Sequence, residues 1–432
     1  MRTLLLFLCS ILAVGCTTLN VPQNDFRRHA SLSASNYVVY RGPRLPLSPP
    51  PAGKRPFYLS HYGRHGSRYL SHRHTYDYPF ESLQRADSAG ILTPLGKDLL
   101  QRLRLIRDDA EGRHGDLSTL GAKQQQLIAQ RMYQRFPEIF QGSAHIQAHS
   151  TLVRRSILSM CNALNQLAQE NPHLDIDCDA TRFDLYFMNF QDTILRSRIM
   201  QGKAKEAYQL FLKKHEHNGP LMARLFTDTV QARRLTDPEK LNFQLFKIAG
   251  NIQNTNLHTQ VTLYDIFTDN EIYHNWLKEN AWWYIAYGGS PLNGGQQPYT
   301  QRHLLRRIID EADSCIMLKR PGATLRFGHE TMVLPLVCLL DINGYGMQVE
   351  NLERLPRKGW IDYKVFTMGC NVQFVFYRSD PADTDVLFKV LLNEEEATLP
   401  IKTDNAPYYR WSDFREYCMK KLNAFKYQNE TE

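Results

Sequence analysis

Between residues 56 and 180, short apolar runs alternate with stretches in which apolar residues recur at helical spacing. Phe57–Tyr62 reads as a strand, and Thr93-Pro94 opens a helix with Leu99, Leu103 and Ile106 on one face. Another helix begins near Ser118-Thr119. A strand follows at Ala144–Ala148, and after Ser150 the residues Ile157, Cys161, Leu164 and Ala168 return to helical spacing. This alternation predicts an α/β fold, a mostly parallel sheet flanked by crossover helices. From about 180 to 300 the texture changes to charged helical segments such as AKEAYQLFLKKHEHN and DPEKLNFQLFKIAGN, with few strand signals. Strand-like runs come back at ATLRFG (323–328) and CNVQFVFY (370–377). The expected organisation is an α/β core made from 56–179 and 301–432, with an inserted α-helical cap at 180–300.

The chain before residue 56 has a different pattern. Arg2, the apolar stretch Leu4–Leu12 and then Ala13-Val14-Gly15-Cys16 have the layout of an export signal, too short for a spanning helix. The closing cysteine resembles a bacterial lipobox, which implies a lipoprotein-type signal over 1–16 with Cys16 lipidated; plain secretion is the alternative. Either way the protein is expected to be exported, lipid-anchored or periplasmic in the bacterial cell envelope, with membrane contact only where the lipid anchor is present. Residues 17–55, ending in the proline-dense GPRLPLSPPPAGKRP, read as a tether, with folded sequence starting near Arg55.

Composition narrows the chemistry only a little. The formal charge of +8, from 52 Lys and Arg against 44 Asp and Glu, is spread without polybasic blocks. That suits a small anionic substrate and does not point to nucleic acid. Beyond the signal six cysteines remain, Cys161, Cys178, Cys315, Cys338, Cys370 and Cys418. Their even number permits disulfides in an exported protein, but Cys161 and Cys338 lie in apolar runs and fit a core equally well. No CxxC pair is present, which argues against a thiolate zinc site.

The tetrapeptide GRHG occurs twice, at Gly63–Gly66 and Gly112–Gly115. The first follows the apolar strand and is followed by Arg68, so Arg64, His65 and Arg68 share the loop at a strand's carboxyl end, where α/β sheets bind ligands. The second lies between IRDDAE and Asp116, whose acidic groups oppose an anion, and reads as a solvated connection between helices. Two other segments supply matching parts. HSTLVRRSILSM puts Arg154 and Arg155 in the first turn of a helix, where backbone N–H groups favour an anion. LRFGHETMVLPL puts His329 and Glu330 at another strand end.

Histidines, arginines and one carboxylic acid at three strand ends suit phosphoryl transfer through a histidine. Guanidinium forks hold a phosphate dianion, a neutral imidazole attacks phosphorus, and a carboxylic acid protonates the leaving oxygen. No metal or other cofactor is required. A zinc peptidase needs HExxH, and His329-Glu330-Thr331-Met332 is followed by Val333. The pairs His72/His74, His145/His149 and His215/His217 are spaced like ligands, but such isolated pairs are ordinarily structural or surface histidines.

These residues resemble the histidine acid phosphatase family. RHGxR is matched by Arg64-His65-Gly66-Ser67-Arg68, and the downstream S-T-x-x-x-R-x-x-x-S by Ser150–Ser159, which places the family arginine on Arg155. The family's late His-Asp pair is matched by His329-Glu330, and DLSTLGAKQ (116–124) is similar to its L-T-x-x-G stretch. FGHETMVLPL looks close to the multiple inositol polyphosphate phosphatase branch, although Glu330 falls at the family's usual Asp position. The resemblance implies His65 as nucleophile, Glu330 as general acid, and Arg64, Arg68, Arg155 and His329 as the phosphate clamp. It implies a metal-independent phosphomonoesterase acting on inositol polyphosphates such as phytate. The alternatives are a broad acid phosphatase on sugar or nucleotide monophosphates and, from another class, a lipoprotein that binds phosphorylated ligands without turnover.

Overall fold

The computed structural model describes residues 21–428, so the signal segment and Cys16 lie outside the described residues. In chain order the elements run α1 (Val21–Arg28), β1 (Arg55–Arg64), α2 (Arg73–Ser88), α3 (Pro94–Ala110), α4 (Thr119–Arg135), β2 (His145–Ser150), α5 (Arg154–Glu170) and β3 (Asp175–Asp179). Helices then follow one another: α6 (Leu185–Met188), α7 (Thr193–Ser197), α8 (Gly202–Lys214), α9 (Gly219–Leu225), α10 (Thr229–Leu235), α11 (Pro238–Ile252), α12 (Asp269–Tyr287) and α13 (Arg302–Ile316). The chain ends with β4 (Gly322–Gly328), α14 (Glu330–Leu339), β5 (Asn371–Arg378), β6 (Leu387–Leu392), β7 (Glu395–Ala397), β8 (Tyr409–Arg410) and α15 (Trp411–Ala424).

The strands form one sheet in the order β3-β2-β4-β1-β5-β6-β7, with β8 on β6. Pairings β3–β2, β2–β4 and β4–β1 are parallel, whereas β1–β5, β5–β6, β6–β7 and β6–β8 are antiparallel. The sheet is therefore mixed, not mostly parallel: after α14 a long connection brings the chain back into β5 running opposite to β1, and β5, β6 and β7 then follow one another antiparallel without crossover helices. Alternate residues of β1 feed opposite layers: Tyr58 and Tyr62 join the larger core shared with the cap helices, and Leu59 joins the core under α4 and α5. Cap packing reaches outside 180–300. The turn opening α3 is tied to α9 by Thr93 N donating to Leu225 O at 3.0 Å.

Residues 21–55 are not a tether. Phe26 of α1 is buried against the rings of Trp276 and Tyr363, at 5.1 and 5.7 Å. Ser33–Asn36 are buried in a run of short helical turns, and Met368 N donates to Val38 O at 2.8 Å. The proline-rich part follows the sheet edge, where Ser48 N and Oγ donate to Glu396 at 2.8 Å and Tyr408 donates to Pro49 O at 2.6 Å. Backbone and hydroxyl hydrogen bonds, more than apolar surface, hold this arm, so its sequence has a linker's composition. Cys161 departs from expectation too: it lies on the exposed face of α5, and the six described cysteines are all free thiols.

Candidate active site

Three neighbouring parallel strands, β2, β4 and β1, end at one place, and each delivers part of the expected set. The loop after β1 begins at Arg64 and is fixed from every side. Arg64 N donates to Cys370 O at 2.8 Å, His65 N to Gly328 O at 3.0 Å and Gly369 N to His65 O at 3.1 Å. Helix α4 clamps its outer side. Ser118, the N-cap of α4, reaches Ser67 O through its N–H at 2.9 Å and its hydroxyl at 3.1 Å, and Gln124 accepts from Ser67 N at 2.8 Å. The approach is close enough that a Cβ on Gly66 would stand 2.2 Å from Gly121 O, and one on Gly121 2.1 Å from Ser67 O. Glycine at both positions is thus a packing requirement, and the DLSTLG segment serves as the clamp on RHGSR.

His65 is fully buried. Its Nδ1 lies 2.8 Å from the Gly66 carbonyl, which accepts a hydrogen bond and so assigns the proton to Nδ1. That leaves the lone pair on Nε2, and Nε2 has no partner among the described residues. Burial first, and then the charges of Arg64, Arg155 and Arg68, push the imidazole's pKa well below its ordinary value, so the ring is neutral. A buried, unprotonated and unpartnered nitrogen beside three guanidinium groups has the geometry and charge environment that a nucleophile facing an anion would need.

The cations are arranged unequally. Arg155, in the first turn of α5, has no hydrogen-bond or ion-pair partner among the described residues, and burial followed by Arg68 lowers it to about 10. Arg154 points away, its side chain 81% exposed and 3.1 Å from Asp116, as the spacing of the motif requires. Arg68 donates through Nη1 to Tyr69 O at 2.8 Å and lies over the Tyr37 ring at 5.5 Å. Arg64 is already engaged: Nη1 donates to Asn36 O at 2.5 Å and Thr367 O at 3.1 Å, and Nη2 to Glu330 Oε1 at 2.9 Å. Nη1 is thus committed to backbone carbonyls, while Nε of Arg64 has no partner among the described residues and its edge stays uncommitted.

His329 stands edge-on to His65, with ring centroids 5.7 Å apart, and its Nε2 is 3.2 Å from Thr151 Oγ1. Burial, reinforced by Arg155, brings it to about 4. For Glu330, burial alone would raise the carboxyl, but Arg64, Arg68 and His329 outweigh it and hold it at about 2. In the free protein Glu330 is therefore a carboxylate. Donor atoms of His65, His329 and Glu330 lie within 4.8 Å of one another, yet the surrounding guanidinium charges favour an anion over a cation there.

Known structures share this arrangement of elements. Multiple inositol polyphosphate phosphatase from Bifidobacterium longum, in complex with inositol hexasulfate, matches with a TM-score of 0.75 at 16% identity, over 89% of this chain and 97% of that one. The phytase from D. castellii gives 0.67 at 14% identity, over 91% and 85%. Hafnia alvei phytase gives 0.52 at 13% identity, over 86% and 98%. The fold is that of the histidine acid phosphatases. No protein-family model matches the chain, and no curated protein sequence matches it.

Within this fold the structure brings His65, Arg64, Arg68, Arg155, His329 and Glu330 together; the second GRHG borders this cluster, where a Cβ on Gly115 would stand 3.7 Å from Arg155 Nη1, but its His114 and Arg113 pack on other rings. Gly112 and Gly115 there adopt positive φ in the turn between α3 and α4, His114 packs on Tyr76 at 5.6 Å, and Arg113 lies over Tyr69 at 4.2 Å. Sequence reasoning missed Asn36 and Tyr37. They line one side of a cleft of ≈ 550 Å³ whose other walls are cap residues, including Tyr208, Phe243, Lys247, Trp282 and Trp283. No local signal pointed to them, because their environment is made by tertiary contacts.

Proposed function

We propose that the protein is a phosphomonoesterase working through a phosphohistidine at His65, with inositol polyphosphates such as phytate as substrates. The observation that carries this reading is the unpartnered Nε2 of a neutral, buried His65 beside Arg68 and Arg155. In the first step the Nε2 lone pair forms a bond to phosphorus as the ester P–O bond breaks. Arg155, Arg68 and His329 hold the phosphoryl oxygens, and Glu330 gives its proton to the departing alkoxide. In the second step water attacks phosphorus, its proton passes to Glu330, and the P–N bond breaks.

Glu330 at about 2 must gain proton affinity when substrate arrives. To be half protonated near pH 5 it needs a rise of roughly 3 units, about 4 kcal/mol. A phosphate charge about 4 Å away at an effective dielectric of about 20 supplies about 4 kcal/mol, so the dianion itself is sufficient to switch Glu330 into an acid. The similarity to phytase structures supports the substrate class, since inositol hexasulfate is the ligand in the Bifidobacterium longum complex. Location in the cell envelope, through Cys16, completes the proposal and rests on the leader sequence alone. The test is phosphate release from phytate and from p-nitrophenyl phosphate with chelator present, followed by product profiling. Turnover of phytate supports the reading, turnover of simple monoesters alone favours a broad acid phosphatase, and binding without turnover sinks the enzyme reading.

A further inference from the structure

The arm ahead of the first strand enters the site through one residue. Asn36 is buried; its Nδ2 donates to Glu330 Oε1 at 2.9 Å, and its carbonyl accepts from Arg64 Nη1. Arg64 Nη2 donates to the same Oε1 at 2.9 Å. Both donors fall on one carboxylate oxygen, which leaves Oε2 uncommitted. A carboxyl used for proton transfer needs this division, one oxygen fixed and the other free to carry the proton.

The backbone around Asn36 is built to hold it there. Ser35 adopts φ 54° and ψ −122°, a conformation that residues with a side chain rarely take. Its hydroxyl donates to Asp362 Oδ2 at 2.6 Å, while Trp276 Nε1 and Tyr363 N donate to Asp362 Oδ1 at 2.8 and 2.7 Å. On the other side Asn254 Nδ2 donates to Tyr37 O at 2.8 Å, and Val39 N donates to Gln253 at 3.2 Å. A strained residue pinned by a buried carboxylate, immediately before a side chain that touches the proposed acid, indicates that the strain is maintained for the site.

We infer that Asn36 is a positioning residue that orients Glu330 and sets its proton affinity, so that the N-terminal arm is part of the catalytic apparatus. This rests on the phosphomonoesterase reading above. Its amide stabilises the carboxylate form, and removing it raises the pH at which Glu330 gives up its proton. Asn36→Ala deletes the donor and keeps the backbone contact to Arg64; Asn36→Asp keeps the shape and, when ionised, cannot donate. Both are expected to lower kcat on phytate roughly 10- to 100-fold and to move the alkaline limb of its kcat–pH profile up by roughly half a unit or more. Hydrolysis of p-nitrophenyl phosphate, whose leaving group departs without a proton, is expected to change much less.

Thermal melting reads folding in parallel. A folded variant whose alkaline limb and phytate-to-nitrophenyl ratio both match the wild type overturns the inference. So does a uniform loss on both substrates, or failure of both variants to fold, since either outcome makes Asn36 merely architectural. A wild-type chain that turns over neither substrate defeats the functional reading instead, and so the two failures are distinguishable.

Discussion

Replacing Glu330 with glutamine separates two jobs that the structure assigns to one side chain. The carboxyl is the counter-ion of the fully buried Arg64, at 2.9 Å, and it is the proposed proton donor. As counter-ion its contribution follows from its titration. Burial pushes its pKa up, but Arg64 and then Arg68 outweigh that push and bring it from the ordinary 4.5 to about 2. A depressed carboxyl stabilises the folded state above its unfolded value, and that stability is lost as pH falls from about 4.5 to about 2. It amounts to roughly 3 kcal/mol. The glutamine amide keeps an oxygen for Arg64 and Asn36 but carries no charge, so the variant should melt lower near neutral pH and lose less on acidification. As proton donor the contribution is kinetic. General acid catalysis supplies roughly 10²–10⁴-fold, so Glu330→Gln should cut kcat on phytate by that order while p-nitrophenyl phosphate loses about tenfold or less. The assay is phosphate release from both substrates near pH 5 on the same preparation, with melting curves across pH 2–7. Equal losses on the two substrates would refute the acid role and leave Glu330 as a counter-ion or a second-step base.

His65→Ala should abolish turnover and phosphoenzyme formation, whereas His114→Ala, altering only a ring packed on Tyr76, should keep most of the rate; acid-labile radiolabel incorporation from labelled substrate reads the first claim. Arg155→Lys should lose on the order of 10²-fold in kcat/KM because an ammonium cannot replace a two-pronged fork. Arg154→Lys, at a side chain 81% exposed, should change kcat/KM by less than about twofold. The reverse order would mean that the helix presents its other arginine to the substrate.

Much of the site is legible in the sequence because its chemistry is written in short, fixed spacings at strand ends. Arg64, His65, Arg68, Arg155, His329 and Glu330 are all assigned by motif, and the choice of Arg155 over Arg154 follows from motif spacing. What escapes is what depends on distant partners. The buried arm Ser33–Asn36 consists of small and polar residues satisfied by Asp362, Arg64 and Glu330, and a chain buried by hydrogen bonds carries no hydrophobic period. The antiparallel half of the sheet is hidden because β5 and β6 are buried along their whole length. Strands buried on both faces, with Gln373 and Lys389 inside them, carry no pattern that distinguishes parallel from antiparallel pairing. Likewise the engagement of Arg64 and the ionised state of Glu330 belong to the pair, not to either segment alone.

The buried arm also bears on how the protein is cut for expression. A recombinant fragment begun at Arg55, the first residue of β1, would contain every motif arginine and histidine and still lack Asn36. Its Glu330 would be short one donor and its Arg64 one acceptor. Silence from such a fragment would report its boundary, not its chemistry. A fusion tag placed tightly against Val21 carries a related risk, because Phe26, five positions on, is already wedged between Trp276 and Tyr363.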